Sequence, residues 1–300
     1  MDARVIDTGL PLHIVEVASR PAAEVASRPA AEAPSRPAAE APAETFLLLH
    51  GYAASSFTWR HWTEALAKRG RVLLVDMKGF GEAPKPDDDR YGPLDFGDLL
   101  VQLIEALDLE QVTLIGHSLG GGVALLAAIT LLERPPKRLS RLVLVASVAY
   151  RQPLPPFVTL ARWPLLSTVA LRMVGARRVI RAALRQIVYR SDAVTEDQVN
   201  AYAEPLTKPD GVRAALAAGR VIVPPSVDEL PAQIARLDLP ALLIWGDTDR
   251  VVPLWVGQRL ARDLPNARLE VIPECGHVPP EEHPGRSLQL VEAFLDEHPL

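Results

Sequence analysis

Short apolar runs alternate with longer amphipathic stretches along most of the chain. Residues 46–49, 72–75, 112–115, 142–146, 241–245 and 269–272 are rich in Leu, Val and Ile, the pattern of strands buried on both faces. Residues 12–17 predict one more strand near the start. Between the runs, residues 59–68 and 94–107 have helical periodicity, and a helix of small residues covers 122–130. Strands alternating with helices predict an α/β fold, a mainly parallel, doubly wound sheet with helices on both faces. The alternation stops at residue 151. From there to 225 the patterns are helical: 169–173 and 179–188 are apolar with interspersed arginines, and Thr195 or Asp192 is placed to cap a further helix. The expected organisation is a core of residues 1–150 and 227–300, interrupted by a helical insertion at 151–226.

One stretch has neither period. The octad Val-Ala-Ser-Arg-Pro-Ala-Ala-Glu at 17–24 recurs at 25–32, and a variant fills 33–40. Eight residues are too few for a solenoid repeat, and a proline in every unit breaks any helix spanning two. Small and charged side chains bury too little apolar surface to offset ordering. Residues 18–44 are therefore expected to be a linker, with the strands on either side as neighbours; docking of a partner is the alternative role.

The candidate chemistry starts at Ser118. A strand runs into Gly116-His117-Ser118-Leu119-Gly120 and a helix follows, the strand–turn–helix setting of a nucleophile elbow. A serine hydroxyl needs a base within reach, and the base needs an orienting carboxylate. His277, in the loop after 269–272, is the candidate base. The loop after 241–245 offers two acids, Asp247 and Asp249. Asp249, ahead of Arg-Val-Val-Pro, is the preferred orienting acid, with Asp247 bracing the loop. The chain order Ser, Asp, His is that of the α/β-hydrolases.

Leu47-Leu48-Leu49-His50-Gly51, Val75 to Gly81, the serine elbow, Trp245 to Pro253 and Gly276-His277 together make the chain resemble the lid-bearing α/β-hydrolases. That group includes esterases, epoxide hydrolases, haloalkane dehalogenases and C–C bond hydrolases. The resemblance implies that Tyr52 and Leu119 donate backbone N–H groups to an oxyanion, that His50 and Asp76 are structural, and that 151–226 is a lid over the serine. Phe157, Trp163 and Met173 are then candidate substrate-binding residues. A serine at the elbow implies an acyl-enzyme, where the dehalogenases and epoxide hydrolases use aspartate. The implied activity is carboxylic-ester hydrolysis of a small molecule, with no metal or cofactor. C–C bond hydrolysis of a vinylogous diketone is the runner-up, because those enzymes usually carry a glycine-rich stretch after His-Gly and a tryptophan after the histidine. This chain has Tyr52-Ala53-Ala54 and Val278-Pro279 there. A non-catalytic ligand receptor on the same fold is a third reading.

Composition narrows the setting. With 48% hydrophobic residues the chain can bury a sizeable core. A net charge of -5, without an evident basic stripe, argues against a nucleic-acid partner. The single cysteine, Cys275, excludes an internal disulfide and suits a reducing compartment; packing is its expected role. Neither a signal-peptide pattern nor an apolar run of spanning length is visible, so a cytoplasmic location is expected.

Overall fold

A computed structural model describes residues 2–18 and 44–300. Eight strands form one sheet: β1 (Asp2–Ile6), β2 (His13–Ala18), β3 (Glu44–Leu49), β4 (Gly70–Asp76), β5 (Val112–His117), β6 (Leu139–Val145), β7 (Ala241–Gly246) and β8 (Ala267–Ile272). Their spatial order is β1-β2-β4-β3-β5-β6-β7-β8. The β1–β2 and β2–β4 pairs are antiparallel, and every other pair is parallel.

The period of two explains how the apolar runs are used. Phe46, Leu48, Ile115, Val143 and Ile244 pack on one face of the sheet. Leu47, Leu49, Leu114, Leu144 and Leu243 pack on the other. The first face is covered by α1 (Thr63–Arg69), the buried Trp59 and Trp62, and a late helix from Pro284 to Glu297. The second is covered by α2 (Pro93–Ala106) and α3 (Leu119–Leu132). The helix expected over 59–68 starts later, at Thr63. A 3₁₀ turn at Ser56–Trp59, capped by Ser55, precedes it and directs both tryptophans inward.

Between β6 and β7 the described chain is helical: α4 (Pro156–Thr159), α5 (Pro164–Val174), α6 (Ala176–Ile187), α7 (Glu196–Ala203), α8 (Pro209–Arg220) and α9 (Leu230–Ile234). Thr195 is the cap of α7. Its hydroxyl accepts from the Gln198 N–H at 3.2 Å, and the Gln198 side chain accepts from the Thr195 N–H at 2.8 Å, a reciprocal capping box. The core resumes with α10 (Leu254–Asp263), α11 (Pro279–Glu282) and α12 (Pro284–Glu297). No helix among the described residues is long and apolar enough to cross a membrane.

Two expectations about the start of the chain need correction. The strands flanking the repeat are not neighbours: β2 pairs with β4, and β3 lies beyond β4. The end residues of the expected linker, Ala18 and Glu44, belong to β2 and β3; residues 19–43 lie outside the described residues. Ala18 and Glu44 flank the start of β4, at the edge of the sheet opposite the one where β5 delivers Ser118.

Candidate active site

Ser118 follows directly on β5 and precedes α3. Its backbone is at φ 55°, ψ −116°, a left-handed conformation that costs free energy for a residue with a Cβ. The surroundings enforce the turn. A Cβ on Gly116 would lie 2.4 Å from the Gly120 carbonyl oxygen, and one on Gly120 would lie 2.4 Å from that of His50. Only glycine lets strand, turn and helix approach so closely. The elbow therefore holds the serine hydroxyl at the C-terminal edge of the parallel strands and at the N-terminus of α3, where the helix dipole favours negative charge.

Two loops from later strands meet it there. His277 Nε2 lies 2.9 Å from Ser118 Oγ, and His277 Nδ1 lies 2.8 Å from Asp249 Oδ2. All three side chains are buried. Asp249 Oδ1 accepts the backbone N–H groups of Val251 and Val252 at 2.8 and 3.0 Å, which holds the carboxylate in place. An ionised carboxylate only accepts, so Nδ1 carries the ring proton and Nε2 presents its lone pair to the serine. Asp247 takes the other position: its carboxylate accepts from the Cys275 N–H at 3.3 Å.

The sequence reading missed two supports of His277. His117, between Gly116 and Ser118, donates from Nε2 to the His277 carbonyl at 2.8 Å. Burial, aided by the neighbouring His277, lowers its pKa to about 3, so it stays neutral. Glu282 accepts from the N–H groups of Gly276 and Val278 at 3.0 and 3.1 Å, and from that of Tyr189 at 2.6 Å. The loop is thus gripped on both sides of the imidazole. An acid five residues after the histidine was the available signal.

The other predicted residues divide. Tyr52 and Leu119 border the cavity above Ser118; the Tyr52 hydroxyl donates to the Ala215 carbonyl at 2.8 Å, tying this loop to α8. His50 donates from Nδ1 to the Gly51 carbonyl at 2.7 Å and accepts the Met77 N–H on Nε2 at 3.1 Å. Burial lowers its pKa. Asp76 accepts the N–H groups of Ser56 and Glu82. Cys275 is buried, which together with Glu282 raises its thiol pKa far above the ordinary value and leaves no thiolate. Phe157 lines the cavity, but Trp163 and Met173 do not: they are 62% and 81% exposed. The cavity wall is made by the next helix, α6, through Ile180, Leu184 and Ile187.

The cavity measures about 180 Å³ and is walled mainly by aliphatic side chains from the insertion and the core. Its polar corner is Thr58, Tyr202 and Glu281. The Glu281 carboxylate is already engaged by Arg60 at 2.7 Å, Gln198 at 2.9 Å and the Tyr202 hydroxyl at 2.5 Å. Among the described residues lining the cavity there is no Lys or Arg. No cluster of three or more His, Cys, Asp or Glu among the described residues is disposed to hold a metal ion.

The sequence pattern of the family described as alpha/beta hydrolase fold matches residues 44–284. The chain belongs to that family. It is 33% identical to a 2-hydroxymuconate semialdehyde hydrolase of Pseudomonas putida over 233 residues, covering 76% of this chain and 77% of the relative. It is 31% identical to a pimeloyl-[acyl-carrier protein] methyl ester esterase of Nitrosomonas europaea over 255 residues, covering 83% and 94%. The crystal structure of an alpha/beta hydrolase fold protein from Burkholderia ambifaria superposes with a TM-score of 0.78 at 23% identity, over 97% of this α/β-hydrolase and 99% of the other chain.

Proposed function

We propose that this α/β-hydrolase cleaves carboxylic esters through an acyl-enzyme, with Ser118 as nucleophile, His277 as general base and acid, and Asp249 as the group that fixes the imidazole. In this reading His277 Nε2 takes the serine proton as Oγ attacks the acyl carbon. The N–H groups of Tyr52 and Leu119 hold the oxyanion. The imidazolium then protonates the departing alcohol, and the free imidazole activates a water that releases the acid. The helical insertion acts as the lid that shapes the acyl site.

The observation that carries the ester reading is an aliphatic cavity without a cationic side chain among its described lining, directly above the serine. A neutral acyl chain is favoured there, because a buried carboxylate without a partner is costly. The Pseudomonas relative favours the second reading, C–C bond hydrolysis. The substrate in that relative's name carries a carboxylate, for which this cavity offers no lysine or arginine. A series of p-nitrophenyl esters assayed beside 2-hydroxymuconate semialdehyde tests the choice. Turnover is expected on the esters, rising with acyl length until the cavity is full. Efficient cleavage of the semialdehyde with weak ester turnover would overturn the ester reading.

A further inference from the structure

Helix α5 exposes an apolar stripe among its described side chains. Among the described residues thirteen large hydrophobic side chains are exposed, and six of them lie at Leu160, Trp163, Leu166, Val169, Met173 and Val174. At 100° per residue, positions 166, 169, 173 and 174 fall within an arc of about 140° on one side of the helix. In a globular protein such a stripe ordinarily faces the core. Here a buried position of the helix is Ser167, whose hydroxyl donates to the carbonyls of Leu160 and Trp163 at 2.7 and 3.1 Å. Ser167 borders the stripe at the side where the helix meets the chain before it, and Leu166, Val169, Met173 and Val174 stand in water.

The same stretch carries charge of one sign. Residues 151–190 contain eight arginines and no Asp, Glu or Lys, in a chain whose net charge is -5. Arg177 and Arg181 share Glu196, while Arg151 pairs with Asp228 and Arg190 with Asp192. Arg162, Arg178 and Arg185 are exposed and have no acidic partner among the described residues.

We propose that the α5–α6 helix pair is a docking surface for an anionic lipid bilayer. The α5 stripe enters the boundary between headgroups and acyl chains, and the unpaired arginines face the lipid phosphates. An amphipathic helix with an apolar face and basic neighbours lies in the interface plane without spanning it. Charge complementarity selects this occupant over a second copy of the chain: the acids nearby, Glu196, Asp192 and Asp228, are already paired, so apposing two such surfaces would bring Arg162, Arg178 and Arg185 of each copy together without free acids to offset them. The proposal stands independently of the ester reading.

Sedimentation with vesicles tests it. The full chain is expected to bind vesicles of phosphatidylglycerol and phosphatidylcholine at low salt, to bind pure phosphatidylcholine weakly, and to be released as salt rises. The double variant R178Q/R185Q removes two charges and should weaken partitioning about 25-fold, at about fivefold per charge. The double variant L166Q/V169Q should weaken it at least about tenfold. Both should keep the wild-type melting temperature, because the four side chains are exposed. Absence of wild-type binding to the anionic vesicles, equal binding to neutral ones, or unchanged binding of R178Q/R185Q would overturn the proposal. So would a wild-type dimer that L166Q/V169Q converts to a monomer.

Discussion

Replacing Asp249 by asparagine exchanges one oxygen for an NH2 and tests the tautomer of His277. The carboxylate engages both oxygens: Oδ1 accepts two backbone N–H groups at 2.8 and 3.0 Å, and Oδ2 accepts from His277 Nδ1 at 2.8 Å. Asparagine has one acceptor oxygen. It keeps that oxygen on the two backbone donors, because the opposite orientation would set its NH2 against both. The NH2 then points at Nδ1, which must accept, so the ring proton moves to Nε2. Nε2 is the atom 2.9 Å from Ser118 Oγ, and it can no longer take the serine proton. The expected loss is about 10⁴-fold in kcat, or about 5.5 kcal/mol of barrier, the cost of the same exchange in serine proteases. Asp247→Asn is the control. Its carboxylate makes one long bond to the Cys275 N–H at 3.3 Å, so it should lose less than about tenfold. The assay is steady-state kcat on p-nitrophenyl butyrate, with melting temperatures confirming that both variants fold. An Asp249→Asn variant within about tenfold of wild type, or an Asp247→Asn variant more damaged than it, would refute the tautomer argument.

Three other outcomes are expected. Ser118→Ala should keep the fold and lose ester turnover by several orders of magnitude, and a fluorophosphonate should label the wild type once and the variant not at all. Labelling elsewhere would displace the nucleophile assignment. His117 stays neutral in the folded chain down to about 3, because burial first and the adjacent His277 second oppose its charging, whereas the unfolded chain protonates it below its ordinary 6.5. The stability due to this group is therefore full above that value and falls by about 1.4 kcal/mol per pH unit on acidification toward the folded pKa; urea titrations from pH 7 to pH 4 should show the slope, and His117→Asn should flatten it. Residues 19–43 connect two strand ends that lie only two strand spacings apart, about 10 Å, across the start of β4. An eight-residue Gly/Ser link can span that distance and should raise stability by about 1 kcal/mol through a shorter closed loop, with kcat/KM unchanged; a lower melting temperature or a loss of turnover would mean that the segment packs on the folded chain.

The fold was legible because the central parallel strands β3, β5, β6 and β7 are buried on both faces, which makes each a dense apolar run too short for a helix, set between helical stretches. Their spatial order was less so. Adjacency in the chain favoured β2 beside β3, but β4 lies between them, and pairing over such a distance leaves no local mark. Ser118, Asp249 and His277 could be picked out as candidates that the structure brings together, because each sits in a loop just after a strand, with its neighbours restricted by the turn. His117 could not, since its importance lies in a bond to the backbone of His277, far away in sequence, and Glu282 was marked only by its place five residues after His277.

The helical insertion was hardest to read, for a reason that bears on its role. Periodicity shows which residues share a face but not what the face meets. The apolar positions of α5 and α6 look alike in sequence, and Trp163 and Met173 were equally plausible as pocket residues. In the structure Ile180 and Leu184 of α6 close the cavity, while Ser167 occupies a buried position of α5 and leaves Leu166, Val169 and Met173 in water. The net charge hid the second half of the signal, because acids elsewhere outnumber the arginines concentrated at 151–190. A solvated apolar stripe is retained at a cost in solubility unless something covers it. The unpaired arginines identify that cover as anionic, and the vesicle variants separate the two contributions.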